Sequence, residues 1–197
     1  MRVLVVFCHP CKESFNAAIC KTVTATLEEN GHEVRLSDLY ASGFDPVMSA
    51  EERRGYHAVE DNTIPVADHL ADIMWCEGIV FVYPTWWFGP PAMLKGWLER
   101  VWLPHETFEM PTAGRGMQPK MQHITRIGVV TTCGASWLVS KLVGEPGRKI
   151  ILRGIRLLAH PRCKTMYMAH FKMDSSTPES RENYLATVKR RLGSFFR

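Results

Sequence analysis

No apolar run in this chain approaches the roughly 18 residues that a membrane-crossing helix needs. The first such run, Val3 to Cys8, is shorter than the core of a secretory signal, about 7 to 15 residues. Neither membrane insertion nor export is expected, and the predicted location is the cytoplasm. Charge of one sign is also scarce: 24 Lys and Arg stand against 20 Asp and Glu, a net charge of +4. That excess is too mild for nucleic acid and suits small anions better. Repeats, low-complexity tracts and linkers are absent. No second Cys or His pair at ligand spacing follows Cys8, His9 and Cys11, so no metal is expected. The six cysteines of the 197 residues lie mostly in or beside apolar runs, and a chain of this length needs no disulfide staples, so reduced thiols are predicted. With 46% hydrophobic residues the chain can bury one good core, which predicts a single domain over residues 1–197.

What is present is alternation. Val3 to Phe7 is apolar without a polar face, as a strand buried on both sides of a parallel sheet should be. Ser14 can cap a helix in which Ala18, Ile19, Thr22, Val23, Thr26 and Leu27 recur at helical spacing, with Gly31 as a left-handed stop. Further strands are predicted at Glu33 to Ser37, Gly78 to Tyr83, Arg126 to Thr131 and Lys164 to Ala169. Helices are predicted at Pro65 to Cys76, Ala92 to Trp102, Lys149 to Leu158 and from Thr177 towards Phe195. Thr112 to His123 reads as a surface excursion. Alternating βα units without a hairpin signal specify an α/β, doubly wound, five-stranded parallel sheet with helices on both faces. The flavodoxin-like order 2-1-3-4-5 fits it.

Ligands of such sheets bind beyond the carboxyl ends of the strands, where the strand order reverses. Three loops meet there. His9 to Asn16 leads into a helix amino terminus, whose free N–H groups and positive dipole end hold phosphate, with Lys12, Ser14 and Asn16 as added donors. The same stretch, Cys8-His9-Pro10-Cys11-Lys12, also reads as a thiol-disulfide site, for which Cys8 must be exposed with a depressed pKa. The βα context favours phosphate. In the second loop Tyr83, Trp86, Trp87 and Phe88 crowd against Gly89 and two prolines. Three adjacent large aromatics suit neither a helix nor a buried strand, which leaves a planar ligand, a hydrophobic lid or a subunit contact to use them. The third loop, Thr131 to Ser136, is small and hydroxylic, with Gly134 allowing close backbone approach.

Taken together, "HPCKESFN", "SDLYASGFDPVMS", "YPTWWFGPPAMLKGWLERVW" and "TTCG" resemble the NAD(P)H:quinone oxidoreductase family of flavoproteins, related to DT-diaphorase, over nearly the whole chain. The resemblance implies a flavin, FAD or alternatively FMN. It implies that His9, Ser14, Phe15 and Asn16 surround the flavin phosphates and ribityl chain. Pro84, Thr85, Trp86, Trp87, Phe88 and Gly89 would edge the ring, largely through backbone groups, and Thr131, Thr132, Cys133 and Gly134 would meet its pyrimidine end. Two departures stand out: Cys133 occupies a position where the family often has Gly, and "ASWLVSKLVGEPGRK" has neither the Tyr nor the His that serve the reduced flavin in other members. No catalytic side chain is therefore assigned.

The implied reaction is ping-pong: NAD(P)H gives a hydride to the flavin, leaves, and a quinone-like acceptor takes its place. The cofactor carries the chemistry and the protein positions it. Trp137 is a candidate pocket wall, Lys141 a candidate charge for the reduced ring, and His105 a candidate pocket residue. Lys149, Arg153 and Arg156 fall on one helical face, either a solvated face or a surface for nucleotide phosphates or an acidic partner. The Trp-rich helix Ala92 to Trp102 shows more apolar surface than one sheet face covers, which predicts a homodimer with active sites at the interface, as the family forms. Relatives that assist potassium-efflux systems suggest the alternative of an ancillary flavoprotein docked on a transporter.

Overall fold

The computed structural model describes residues 1–59 and 61–197. Its centre is a parallel sheet of β1 (Arg2–Phe7), β2 (Glu33–Asp38), β3 (Gly78–Thr85), β6 (Arg126–Cys133) and β7 (Lys164–His170), in the order β2-β1-β3-β6-β7. Counting only these strands, the order is the expected 2-1-3-4-5. A two-stranded antiparallel ribbon, β4 (Phe108–Glu109) with β5 (Gln118–Pro119), lies in the excursion between β3 and β6.

The burial of each strand follows from its place in the sheet. The middle strands β1, β3 and β6 are buried at almost every position, because helices cover both faces. Edge strands β2 and β7 carry more polar residues and more exposure. Successive side chains take opposite faces. Val3, Val5, Val80 and Val82 meet Ile19 and Val23 of α1 (Phe15–Glu29) and Val188 and Leu192 of α7 (Pro178–Phe195). Leu4, Val6, Ile79 and Phe81 meet Leu70 and Ile73 of α3 (Ala67–Trp75) and Leu94 and Trp97 of α4 (Ala92–Val101) on the other face.

Three local readings are corrected. The helix expected over Lys149 to Leu158 is split into α6 (Pro146–Lys149), a π turn at Ile150–Gly154 and a 3-10 turn at Ile155–Leu158. Gly154, a poor helix former, sits at the change of winding. A short α5 (Trp137–Val143), capped by Ser136, precedes it, and α2 (Ala50–Gly55) starts at a capping box of Ser49 and Glu52; neither was foreseen. Finally, the tryptophans of α4 are not surplus: Trp97 is fully buried and Trp102 nearly so, in the chain's own core. α5 carries a run of apolar side chains left in water, among them Leu138 at 60% and Leu142 at 79% exposed.

The segment joining β2 to α2 is strapped onto α4. Arg100, buried, bonds Glu52 and the Asp45 carbonyl and lies over the Phe44 ring. Gly96 of the same helix touches Pro46 where any larger residue would place its Cβ.

Candidate functional site

The β1–α1 loop presents a capped helix start. Ser14 is extended (φ −69°, ψ 157°) and its hydroxyl accepts from the Ala17 N–H at 3.1 Å. His9 Nδ1 accepts from the Cys11 N–H at 3.0 Å, which leaves Nε2 to carry the proton as a donor. Burial holds the imidazole below its ordinary 6.5, so it is neutral at physiological pH. Asn16 is buried on the first turn of α1; its amide donates to Thr132 Oγ1 at 2.9 Å and ties this loop to the end of β6. Its Oδ1 is buried with no partner among the described residues, an acceptor waiting for a donor.

After β3 the chain makes a tight turn in which the Trp86 N–H donates to the Gly89 carbonyl (3.1 Å) and the Gly89 N–H to the Trp86 carbonyl (3.0 Å). Its two central residues, Trp87 (φ 49°) and Phe88 (φ 62°), are both left-handed, a conformation costly for side chains of this size. The turn puts the Trp87 ring 97% in solvent. Trp86, ring centroid 6.1 Å from that of His9, leans towards the first loop. Such strain marks a turn whose backbone direction matters more than its side-chain comfort.

At the end of β6 the strand alternation sorts the third loop. Thr132 and Gly134 line the site, while Thr131 and Cys133 turn away. Thr131 Oγ1 donates to the Tyr83 carbonyl at 2.6 Å and lies 2.9 Å from Thr85 Oγ1; Cys133 Sγ lies 3.5 Å from Ser140 Oγ under α5. A short turn after β7, Met173–Ser175, closes the side of the site. Asp174 Oδ2 is 2.6 Å from where a Cβ on Gly134 would be, so glycine there admits both the carboxylate and a ligand edge. One cavity of about 560 Å³ gathers His9, Ser14, Phe15, Asn16, Pro84, Thr85, Trp86, Trp87, Thr132 and Gly134 with Met173 and Asp174. A larger one, about 690 Å³, lies between α2 and Arg100 and contains none of the three loops.

A family model described as flavodoxin-like fold matches residues 1–187. The chain belongs to the flavodoxin-like fold family. It is 36% identical over 116 residues to NAD(P)H dehydrogenase (quinone) 1 of Cavia porcellus, covering 51% of this chain and 42% of that protein. The chain spans about half the length of the curated relatives it matches. Among solved structures, an NAD(P)H:quinone oxidoreductase from Methanothermobacter marburgensis superposes with a TM-score of 0.81 at 22% identity, covering 100% of this chain and 98% of that one. An FMN-dependent NADH-azoreductase from Bacillus anthracis superposes at 0.76, with 16% identity and 98% of each chain covered. The solved structures thus show the flavodoxin-like fold, and the curated relatives bear the names of the oxidoreductases that the motifs resemble.

Within this flavodoxin-like chain, ten of the fourteen residues singled out line one cavity, and Phe88, Gly89, Thr131 and Cys133 do not. The last two support the site from behind, for the period-two reason given above. The dithiol alternative is overturned: Cys8 is fully buried, and burial pushes its thiol up to about 12, the reverse of an activated thiol, while Cys11 is exposed. His105 pairs with Glu109 at 3.4 Å away from the cavity, and Trp137 and Lys141 line a different cleft. Met173 and Asp174 escaped sequence reasoning, although the loop after β7 ends at the same edge of the sheet as the other three. No metal-binding group of His, Cys, Asp or Glu exists among the described residues, and no helix among them is long and apolar enough to cross a membrane.

Proposed function

We propose that the protein is a flavin-dependent NAD(P)H:quinone oxidoreductase whose three-loop cavity holds the flavin. The observation that carries this reading is the set of unsatisfied polar groups around one cavity: a buried Asn16 Oδ1 without a donor, the His9 Nε2 donor, and the free amides of a capped helix start. A flavin side chain answers them, because its hydroxyls donate and its phosphate accepts. Its ring needs a flat wall and backbone donors at its edge, which Trp86, the strained Trp87–Phe88 turn and Gly134 supply.

When bound, the flavin supplies hydride acceptance from NAD(P)H and two-electron delivery to a quinone-like acceptor. The chain's own part is to bind and orient. His9 and the α1 start hold phosphate, Asn16 fixes a hydroxyl, and the Trp86–Gly89 turn fixes the ring edge. Neutral His9 donates one hydrogen bond without adding a charge. FAD is the expected form and the FMN of the azoreductase neighbour the alternative. A homodimer is part of the proposal; the exposed Leu138 and Leu142 of α5 support an interface there, since the tryptophans of α4 are buried in the chain's own core.

The test is the visible spectrum of the purified protein, chromatography of what it releases on denaturation, and NAD(P)H oxidation with a quinone present. Yellow protein that releases FAD or FMN and turns over supports the reading. Colourless protein that takes up neither flavin overturns it.

A further inference from the structure

Outside the three-loop site, a cleft runs along the outer edge of β7 between α5–α6 and α7. Its cavity is about 340 Å³, and an adjoining one of about 540 Å³ shares Tyr167 and Arg191 with it. Ala169 and Phe171 line this cleft and Met173 and Asp174 line the loop cavity, so the two are neighbours along one stretch of chain. Trp137 and Lys141, one turn apart on α5, form one wall together with Glu145, which lies just past the helix end. The exposed Leu138 and Leu142 form a separate stripe.

Glu145 is the unusual member. It is left-handed (φ 49°) and only 9% exposed. Its Oε2 accepts from Lys141 Nζ at 2.6 Å and Arg148 Nη1 at 2.8 Å, while Oε1 is buried with no partner among the described residues. Burial alone would raise this carboxyl, but Lys141 and Arg148 hold it below the ordinary range, so it is ionised. A buried carboxylate oxygen without a donor is costly, and the cleft is therefore short of one donor. It has cations to spare: Lys141, Arg148 and Arg191 face one carboxylate. Its remaining walls are aromatic, from Trp137, Tyr167 and Tyr184.

Those three properties select a ligand class. An organic cation is disfavoured by the surplus of positive charge, and a bare anion leaves Glu145 Oε1 unanswered. A hydroxyl donor, a phosphate and a planar base on one scaffold satisfy all three. We infer that this cleft binds a nucleoside phosphate, the adenosine half of the reduced nicotinamide nucleotide, with a ribose hydroxyl donating to Glu145, phosphate on Lys141 and Arg191, and the base against Trp137 and Tyr167. This rests on the NAD(P)H-dependent reading proposed above.

Arg191→Ala tests it, because Arg191 is exposed and its loss leaves the core intact. The KM for NADPH rises about tenfold, the scale of one charge-assisted hydrogen bond, with kcat kept. The KM for ribosyldihydronicotinamide, which lacks the adenosine half, stays at the wild-type value. ADP, titrated calorimetrically into the wild type, binds in competition with NADPH and weakens by a similar factor in the variant. An unchanged NADPH KM in both Arg191→Ala and Glu145→Gln overturns the inference. So does ADP binding that does not compete, since the cleft would then serve a free nucleotide. If the wild type oxidises neither donor, the oxidoreductase reading fails, and the ADP titration still decides whether the cleft takes a nucleotide.

Discussion

Replacing Asn16 with Ala should separate stability from ligand binding. In the flavin-free protein Asn16 makes one side-chain hydrogen bond, to Thr132 Oγ1, and leaves Oδ1 buried without a partner. Losing such a bond costs about 0.5 to 1.5 kcal/mol, whereas removing an unsatisfied buried acceptor returns about 1 to 3 kcal/mol. The side chain faces an open cavity, so no closed void adds to the cost. The flavin-free variant should therefore fall between about 0.5 kcal/mol less and about 2.5 kcal/mol more stable than the wild type. Flavin binding, by contrast, loses a satisfied acceptor and the tie between the first and third loops, about 1 to 2 kcal/mol, or roughly 5- to 30-fold in Kd. Denaturant unfolding of the flavin-free protein gives the first quantity and quenching of flavin fluorescence the second. A variant clearly less stable than the wild type, yet binding flavin within twofold, would refute the reasoning and make Asn16 a structural residue only.

Trp87→Gly should stabilise the flavin-free chain by about 0.5 to 1 kcal/mol, because relief of a left-handed L-residue outweighs the added chain entropy and the exposed ring gives up no burial; a lower denaturation midpoint would contradict this. Cys8, Cys20 and Cys76 are each raised by burial from 9.0 to about 12. The folded state keeps these protons while the unfolded chain sheds them, so stability is complete below pH 9 and declines towards pH 12. The slope is about 1.4 kcal/mol per pH unit for each thiol, and Cys20→Ala should make the decline measured by denaturant titration shallower. In the native protein only Cys11 should react quickly with a thiol reagent, and turnover should survive its loss in Cys11→Ser, as mass spectrometry and a rate assay would show. Leu142→Glu should convert a dimer to a folded monomer by light scattering; an unchanged mass would move the interface away from α5.

Much of the frame was legible because burial on both faces leaves a plain mark: Val3 to Phe7, Gly78 to Tyr83 and Arg126 to Thr131 have no polar face, and each is a central strand. The cavity was legible for a related reason, since the loops beyond those strands must meet at the order reversal. What escaped depends on contacts between distant segments. α2 is set by a capping box and the Arg100 strap, and α4's tryptophans looked surplus only because the partners that bury them lie elsewhere in sequence. The handedness of Trp87 and Phe88 was invisible because nothing local favours it. The burial of Glu145 escaped because the β7 and α7 residues that share its cleft are distant in sequence.

The alternation at the end of β6 bears on how such a site can change. Thr131 and Cys133 are committed to the scaffold, whereas Thr132 and Gly134, each one step further along the chain, line the cavity, Thr132 holding Asn16 and Gly134 lying under the Asp174 carboxylate. Substitutions at the cavity-lining pair would be felt first in ligand preference, through Asn16 and Asp174, and those at the scaffold pair first as instability. Two kinds of selection therefore act on adjacent residues, and a Thr132→Ser change, which keeps the hydroxyl that Asn16 bonds, should leave the fold intact while altering the cavity wall.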